Sequence, residues 1–538
     1  MAFVEHSLSV THTSPVTTSR RSLSAGWLVG VGILLHLMLA VSAGLSPDEA
    51  HYALYGAHLD WSYFDHPPLV GWVQAPFAAA GGADWLMRVV PMGSWLASVW
   101  LMIGLCRQLP IESPGAMGPR RRDGWVVLLL LLSPMLDLLG VALVPDSLLM
   151  PLVPAVMSAT WRLRSPEAAS TWRRWLVLAT LLGLCMLAKY TGIFIVLGSL
   201  LSLCKFHGRK LMRLPGPWLT ALIVVAMTSP VVAWNVSHRW ASFVYQSEHA
   251  AGDQNWQLRV ALRAVALQFA LYGLMLPIGV VQGLRTISRG KPGPPPTVEG
   301  DARMLGFAFG VPVLLVFAAM AGRGASLPHW TASGWVALIP LAVDGGLRLG
   351  RALVGGLVVW HASLLASILV LVLIGGVGSE TEGAAISPAG FRATDWRVNP
   401  VADVYGWEAA AQHGAGLAEQ RRARGLVVMN WSLASRLAWY ARPMPVFVAP
   451  EHTDQFRLWF GALHRGDSAV AMDWSQMALT LPVGPAGFRS CKPIGQLPTL
   501  VNGRQIAHFN YLYCEGWQEV PMTVPSRLPA ASVLPAVP

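Results

Sequence analysis

Charge is scarce in this sequence: Asp, Glu, Lys and Arg together make up 12% of its 538 residues, about half the share of an ordinary soluble chain. Too few charged side chains remain to clothe a water-facing surface of that size, which excludes a soluble multidomain protein. Cysteine is scarcer still, with five in all. They show no zinc-type spacing, and neither a P-loop nor a dinucleotide-binding glycine fingerprint occurs. A formal net charge of +11 would suggest nucleic acid in a soluble protein. In so apolar a chain the positions of the charges matter more than their sum, and no nucleic-acid partner is expected. What is abundant is apolar length. Hydrophobic residues are 54% of the chain, gathered into runs long enough to cross a bilayer core of about 30 Å as helices.

The first run, Ala25 to Leu45, is apolar except for His36 and follows Arg20 and Arg21. A cleaved signal peptide, with Val41-Ser42-Ala43 as its small-residue site, competes with a retained helix. The run exceeds the roughly 7–15 residues of a signal core, which favours the helix. Further runs near 85–106, 125–143, 147–161, 175–188, 191–204, 217–234, 260–281, 304–322, 331–346 and 352–377 predict a polytopic α-helical membrane domain of about eleven spans over residues 25–377. Basic residues fall in alternate connections: Arg120, Arg121 and Arg122; Arg162, Arg164, Arg173 and Arg174; Lys205, Arg209, Lys210 and Arg213; Arg285, Arg289 and Lys291; Arg348 and Arg351. The opposite connections hold only Lys189, Arg239 and Arg323. Because cytoplasmic loops carry the excess of Lys and Arg, the tail 1–24 is expected on the cytoplasmic side of the membrane, and the C-terminus outside. The proline-rich stretch Lys291 to Pro296 reads as a cytoplasmic linker.

From about Gly378 the composition turns ordinary, with strand-like runs at Leu426 to Met429 and Val446 to Val448 between helical patterns. Residues 378–538 therefore read as a small extracytoplasmic α/β domain. Its two cysteines, Cys491 and Cys514, would lie in an oxidising compartment, where they are able to pair. Cys106, Cys185 and Cys204 look like small apolar residues of the spans.

The chemistry-bearing segment is the first outer loop, 46–84, which contains no Lys or Arg. It opens Ser46-Pro47-Asp48-Glu49-Ala50-His51-Tyr52 and continues through Asp60-Trp61 to Tyr63-Phe64-Asp65-His66-Pro67-Pro68-Leu69. A capping box from Ser46 and Glu49, with Pro47 at the first helical position, accounts for its start as pure structure. The second cluster adds a carboxylate and an imidazole to the same side, on a turn set by prolines. A third acid, Asp146, follows Val144-Pro145 in a very short outer connection, where an N-cap is the plain alternative. Cations share that face: Lys189-Tyr190, His329-Trp330, and Arg259 and Arg263 at the start of a span. Snorkelling and an aromatic belt explain these one at a time. Carboxylates gathered against apolar surroundings invite a functional account.

Taken together, Asp48-Glu49 with Tyr52, Tyr63 to Leu69, Pro145-Asp146, Ala188-Lys189-Tyr190-Thr191 and Leu327-Pro328-His329-Trp330 resemble the membrane glycosyltransferases of the GT-C fold. The similar group is family 39-like, the bacterial relatives of the dolichyl-phosphate-mannose protein mannosyltransferases and of the lipid A aminoarabinose transferase. The resemblance runs from residue 25 to about 345. It implies transfer of a sugar from a polyprenyl-phosphate carrier to a glycan, lipid or protein acceptor at the periplasmic face, with inversion. It also implies that Asp48 is the catalytic base, with Asp146 a second carboxylate and Glu49 beside them. Lys189, Tyr190, Arg259, Arg263 and His329 would attend the donor phosphate, and Tyr52, Asp65, His66 and Trp330 would line the substrate loop. A divalent metal, held by Asp65 and His329, is the implied cofactor. Where aminoarabinose transferases have Phe-Glu-Lys-Pro-Pro, this chain has Phe64-Asp65-His66-Pro67-Pro68, so the metal and phosphate roles at those two positions do not transfer directly.

The inventory fits this chemistry on its own terms. A lipid phosphate is a stable leaving group, so no acid need protonate the departing oxygen, and one carboxylate base suffices for the acceptor hydroxyl. Lysine, arginine or a protonated His329 would offset charge growing on the phosphate. Two other classes compete: a secondary transporter using the acids and Lys189 as an ion relay, and a non-catalytic assembly factor. The acids lie in loops, not at the midplane, and no repeated half is visible, which weighs against the transporter.

Overall fold

The computed structural model describes residues 24–110, 119–251, 255–289, 298–324, 327–346, 349–376, 399–449, 454–477, 483 and 487–518. The expected cytoplasmic tail, apart from Ser24, and the expected linker at 291–296 lie outside the described residues. Six described helices are long and apolar enough to cross a membrane: Ala25–Ser42, Asp84–Gln108, Gly192–Arg213, Pro215–Ser237, Val298–Ala321 and Ala352–Ile374. The run expected at 260–281 is instead two helices, Leu258–Tyr272 and Met275–Gln282, bent by 97°. Gly273 sits at the break with φ +73, a backbone region that a side chain rarely tolerates. Counting the bent pair as one gives seven, against the eleven read from the apolar runs.

The difference has a packing reason. Three of the remaining runs form helices that other protein largely encloses, Pro119–Leu131, Pro145–Arg162 and Ala332–Gly346, whereas the fourth, Trp172–Ala188, keeps an exposed face that includes Val177. Every residue of Ala332–Gly346 is buried, and Pro145–Arg162 carries Pro151 and Pro154 in its interior. A helix enclosed by neighbours does not need a continuous lipid-length stretch. The run at 125–143 breaks at Ser133, after which Pro134–Leu138 forms a short separate helix. His36, the polar exception in the first helix, is buried and hydrogen-bonds Asp137 at 2.9 Å, so a costly pair of polar groups is satisfied inside the bundle.

The C-terminal part is a five-stranded sheet of order β2-β1-β3-β5-β4, formed by β1 (Leu426–Val428), β2 (Val446–Val448), β3 (Ala469–Trp474), β4 (Phe488–Val501) and β5 (Arg504–Trp517). β1 is parallel to β2 and β3, whereas β5 is antiparallel to β3 and β4. Helices Trp407–Gln420 and Trp431–Tyr440 flank it, and β1 is buried along its whole length, as expected for a strand covered on both faces. Cys491 and Cys514 face each other across β4 and β5 and form a disulfide.

Two seams join this domain to the bundle. The β4–β5 turn, with Asn502 at φ 51 and Gly503 at φ 75, is the tight hairpin that Asn-Gly favours. Beside it, Arg504 donates to the carbonyls of Ile374 and Gly376 at the end of the last long helix. The second seam is helix Trp431–Tyr440 against helix Pro47–Ala57 of the first outer loop. That loop is therefore held between the bundle below and the sheet domain above.

Reducing the Cys491–Cys514 bond, which spans 23 residues, removes a constraint on the unfolded chain worth about 3 kcal/mol. Calorimetry of the full chain with and without dithiothreitol is expected to show the unfolding transition of the sheet domain shifted down on reduction.

Candidate active site

The first outer loop folds into two short helices, Pro47–Ala57 and Leu69–Ala79. At its start Ser46 accepts from the Glu49 amide, and Glu49 accepts from the Ser46 amide at 3.0 Å, with Pro47 leading the helix. The helices cross closely at Gly71, where an added Cβ would stand 2.6 Å from the Tyr63 hydroxyl. Tyr55 stacks on Tyr63 with centroids 3.5 Å apart. The turn between the helices closes through the Tyr63 amide donating to the His66 carbonyl, ahead of the two prolines.

Glu49 and Asp48 have opposite fates. Glu49 is buried and takes a two-point ion pair from Arg88, at 2.8 and 2.9 Å. It also accepts from the Leu143 amide. Arg88 donates in turn to the carbonyls of Ala40, Ala43 and Gly44 at the end of the first membrane helix. With both oxygens engaged by a guanidinium, Glu49 holds the loop in place. Asp48, one residue earlier, makes no hydrogen bond or ion pair with a described side chain and is half-buried. Burial raises its carboxyl pKa. His51 and His66 counter that rise, and Asp65 and Glu49 reinforce it.

Asp65 is the centre of a second cluster. His66 Nδ1 lies 3.0 Å from one of its oxygens and His51 Nε2 lies 3.5 Å from the other, and the Tyr55 hydroxyl donates to it. Burial alone would raise this carboxyl, but the two imidazoles overcome it and hold Asp65 well below the usual carboxylate range. The His51 ring is braced by Ser435 of the sheet domain at 3.3 Å and lies against Trp431. The loop backbone is gripped as well: Gln455 accepts from the Phe64 amide at 2.7 Å, while Ser242 and Gln246 donate to the carbonyls of Tyr63 and Asp65.

The third group comes from three helix ends. Asp146 is not an N-cap, since Val144 holds that place. Its carboxylate lies 2.6 Å from Lys189 Nζ and 3.8 Å from His329 Nε2. Lys189 ends helix Trp172–Ala188, and His329 stands in the turn before helix Ala332–Gly346. Burial pushes the His329 imidazole down to about 4, with Asp146 opposing and Lys189 and His66 adding to the effect. His329 is therefore neutral at pH 7, not the cation the sequence suggested. Tyr52 connects the groups. Burial, and then the charges of Asp65, Asp48 and Asp146, push its hydroxyl well above the ordinary range, so all three carboxylates stand around this one ring.

The other expected residues divide. Tyr190 stacks near Phe243 and Trp330 near Phe317 and His329, all at this end of the bundle. Arg259 and Arg263 are exposed on helix Leu258–Tyr272 and make no ion pair with a described residue, as snorkelling side chains would. Asp65 and His329, the pair named for a metal, lie against different partners. Among the described residues no three His, Cys, Asp or Glu side chains form a metal-holding group. Sequence reasoning missed Arg88, although an arginine inside an apolar run signals a buried partner. It also passed over His51, and had no signal for Ser435 or Gln455, which lie nearly four hundred residues away in the chain.

Residues 65–234 match the family described as dolichyl-phosphate-mannose-protein mannosyltransferase. Crystal structures of ArnT from Cupriavidus metallidurans superpose over 90% of this chain and 98% of theirs. The apo form gives a TM-score of 0.56 at 15% identity, and the form bound to undecaprenyl phosphate gives 0.57 at 16%. The chain has the fold of these structures, the GT-C fold. A curated relative, lipid A galacturonosyltransferase RgtD of Rhizobium johnstonii, is 22% identical over 319 residues, covering 57% of this chain and 63% of its own length. In this GT-C chain the matched family segment begins at Asp65 and includes Asp146 and Lys189, while Asp48 precedes it.

Replacing Arg88 by Ala leaves Glu49 buried and unpaired, a loss of about 3–5 kcal/mol, and is expected to lower the Tm markedly. Asp48→Asn should behave oppositely. A carboxyl whose folded pKa is raised opposes folding once pH exceeds that pKa, so its neutral replacement should leave the Tm at pH 7 unchanged or higher. A large fall in Tm for Asp48→Asn would contradict the assignment.

Proposed function

We propose that the protein is an inverting glycosyltransferase that moves a sugar from a polyprenyl-phosphate carrier to a lipid acceptor at the periplasmic face of the inner membrane, with Asp48 as the base. The observation carrying this reading is the contrast between adjacent acids. Glu49 is locked in a buried ion pair, whereas the Asp48 carboxylate, of raised pKa and within the fields of His51, His66 and Asp65, has no ion-pair partner among the described residues. An unpaired carboxylate in so costly a position needs a purpose. The alternation of basic connections supports the periplasmic orientation.

In the reaction, an acceptor hydroxyl oxygen attacks the anomeric carbon from the face opposite the phosphate. Asp48 takes the hydroxyl proton as the new C–O bond forms, and the bond to the phosphate oxygen breaks with both electrons leaving on the phosphate. Proton transfer of this kind contributes typically about 10²- to 10⁴-fold. Lys189, kept at the site by Asp146, offsets the charge growing on the phosphate, and neutral His329 serves as a hydrogen-bond donor or acceptor beside it. The low-pKa Asp65 holds His51 and His66 in fixed orientation. The apolar helices below the site provide the surface for an isoprenoid tail. That RgtD and the ligand-bound ArnT structure are named for lipid A and undecaprenyl phosphate supports a lipid acceptor and a polyprenyl carrier here.

The test is sugar transfer by reconstituted protein supplied with a polyprenyl-phosphate sugar. Asp48→Asn is expected to lose at least about a hundredfold in rate while still inserting and folding, and retained transfer would reject the reading. Because only ionised Asp48 accepts a proton and its pKa is raised, kcat/KM should fall on acidification at a pH above the usual carboxylate range. Uptake of a solute by sealed vesicles containing no lipid-linked sugar would favour the transporter instead.

A further inference from the structure

Helix Pro145–Arg162 carries Asp146 in its first turn and Arg162 as its last residue. At 1.5 Å per residue its ends lie about 27 Å apart, so Arg162 marks the bundle end opposite the carboxylate cluster. There an open pocket of about 370 Å³ is lined by Gln108, Trp161, Arg162, Arg164, Ser165 and Arg174. Three guanidinium groups thus converge on one concavity that the transfer chemistry does not use.

Hydrogen bonds to neutral acceptors set two of these arginines in place. Arg162 Nε donates to Gln108 Oε1 at 3.2 Å, and that amide is itself fixed by Ser158 and the Gly104 carbonyl. Arg174 Nη1 donates to the Arg162 carbonyl at 2.9 Å. Neither has a carboxylate partner among the described residues. Arg164 lies over the Trp161 ring and shares Asp301 at 3.5 Å. The other nearby acid, Glu167, is exposed and turns back on Ser165. The positive charge of Arg162 and Arg174 is therefore oriented and, among the described residues, not neutralised. Helix Trp172–Ala188 also begins here with no side-chain cap, which adds amide dipoles of the same sign. Trp172, 59% exposed at this level, is placed as interfacial tryptophans are, among lipid headgroups.

We propose that this pocket binds the phosphate of an anionic phospholipid headgroup. The guanidinium pair of Arg162 and Arg174 supplies two-point contact to the phosphate oxygens, and Trp161 and Trp172 face the glycerol and upper acyl region. The site is independent of sugar transfer, so its test reads binding and not activity.

The full chain in detergent is examined by native mass spectrometry with phosphatidylglycerol, phosphatidylethanolamine and inorganic phosphate as probes. Wild-type protein is expected to retain phosphatidylglycerol over phosphatidylethanolamine. Arg174→Gln should weaken that retention about fivefold, and the double variant Arg162→Gln/Arg174→Gln about thirtyfold. Arg209→Gln, an equal charge change at another exposed basic position, should leave it unchanged. The proposal is overturned if both lipids are retained equally, if Arg209→Gln weakens binding as much, or if inorganic phosphate fills the site and phosphatidylglycerol fails to displace it. The single variant keeps the question answerable if the double variant does not fold.

Discussion

The buried pair between Glu49 and Arg88 supports the rest of the site. Arg88 projects from a membrane helix, ties together the carbonyls at the end of the first membrane helix, and grips the first turn of the outer loop through Glu49. A charge pair in such a place is costly to desolvate and is retained only where its geometry is good and the remaining hydrogen-bonding groups are satisfied. Here they are: the carboxylate receives two guanidinium contacts and two backbone amides. Asp48 is the neighbour of this anchor, so its backbone position is fixed while its side chain makes no hydrogen bond or ion pair with a described residue.

The sheet domain acts on the same loop from the other side. Ser435 braces His51, Gln455 holds the Phe64 amide, and Tyr440 bridges Asp84 and the Leu45 amide at the two ends of the loop. The domain is thus part of the site's scaffold as well as a separate fold. Its own Arg436 illustrates how polar groups are kept in such a setting: it is buried, stacked 3.6 Å over Trp407, and paired with Asp403. The membrane bundle contributes through helix ends, where Asp146, Lys189 and His329 meet. Helix termini bring polar side chains to one level without breaking backbone hydrogen bonds inside the apolar region.

Much of this was legible locally. The capping box at Ser46, the proline-set turn after His66 and the short strands β1 and β2 follow from spacing and residue type, because each depends on neighbours within a few positions. Which helices are enclosed was not. Periodicity and apolarity cannot distinguish a helix facing lipid from one enclosed by protein, as Ala332–Gly346 shows. The difference between Glu49 and Asp48 was hidden for a related reason: two adjacent acids look equivalent until the position of Arg88 is known. The neutral state of His329 likewise depends on burial that its own surroundings in the chain do not reveal.

Composition and apolar length alone point to a chain of the bilayer, because few charges and long hydrophobic runs leave no other solvent, and the loop between residues 46 and 84 is where acidic, histidine and aromatic side chains gather. Which of those groups is held, which is free, and which is neutral emerged only from three-dimensional contact. The pairing of Glu49 with Arg88, of Asp146 with Lys189, and of His51 with Ser435 joins residues 39, 43 and 384 positions apart. Electrostatic environment is set by whatever lies within a few ångströms, and chain order carries almost no information about that distance once helices fold back on one another.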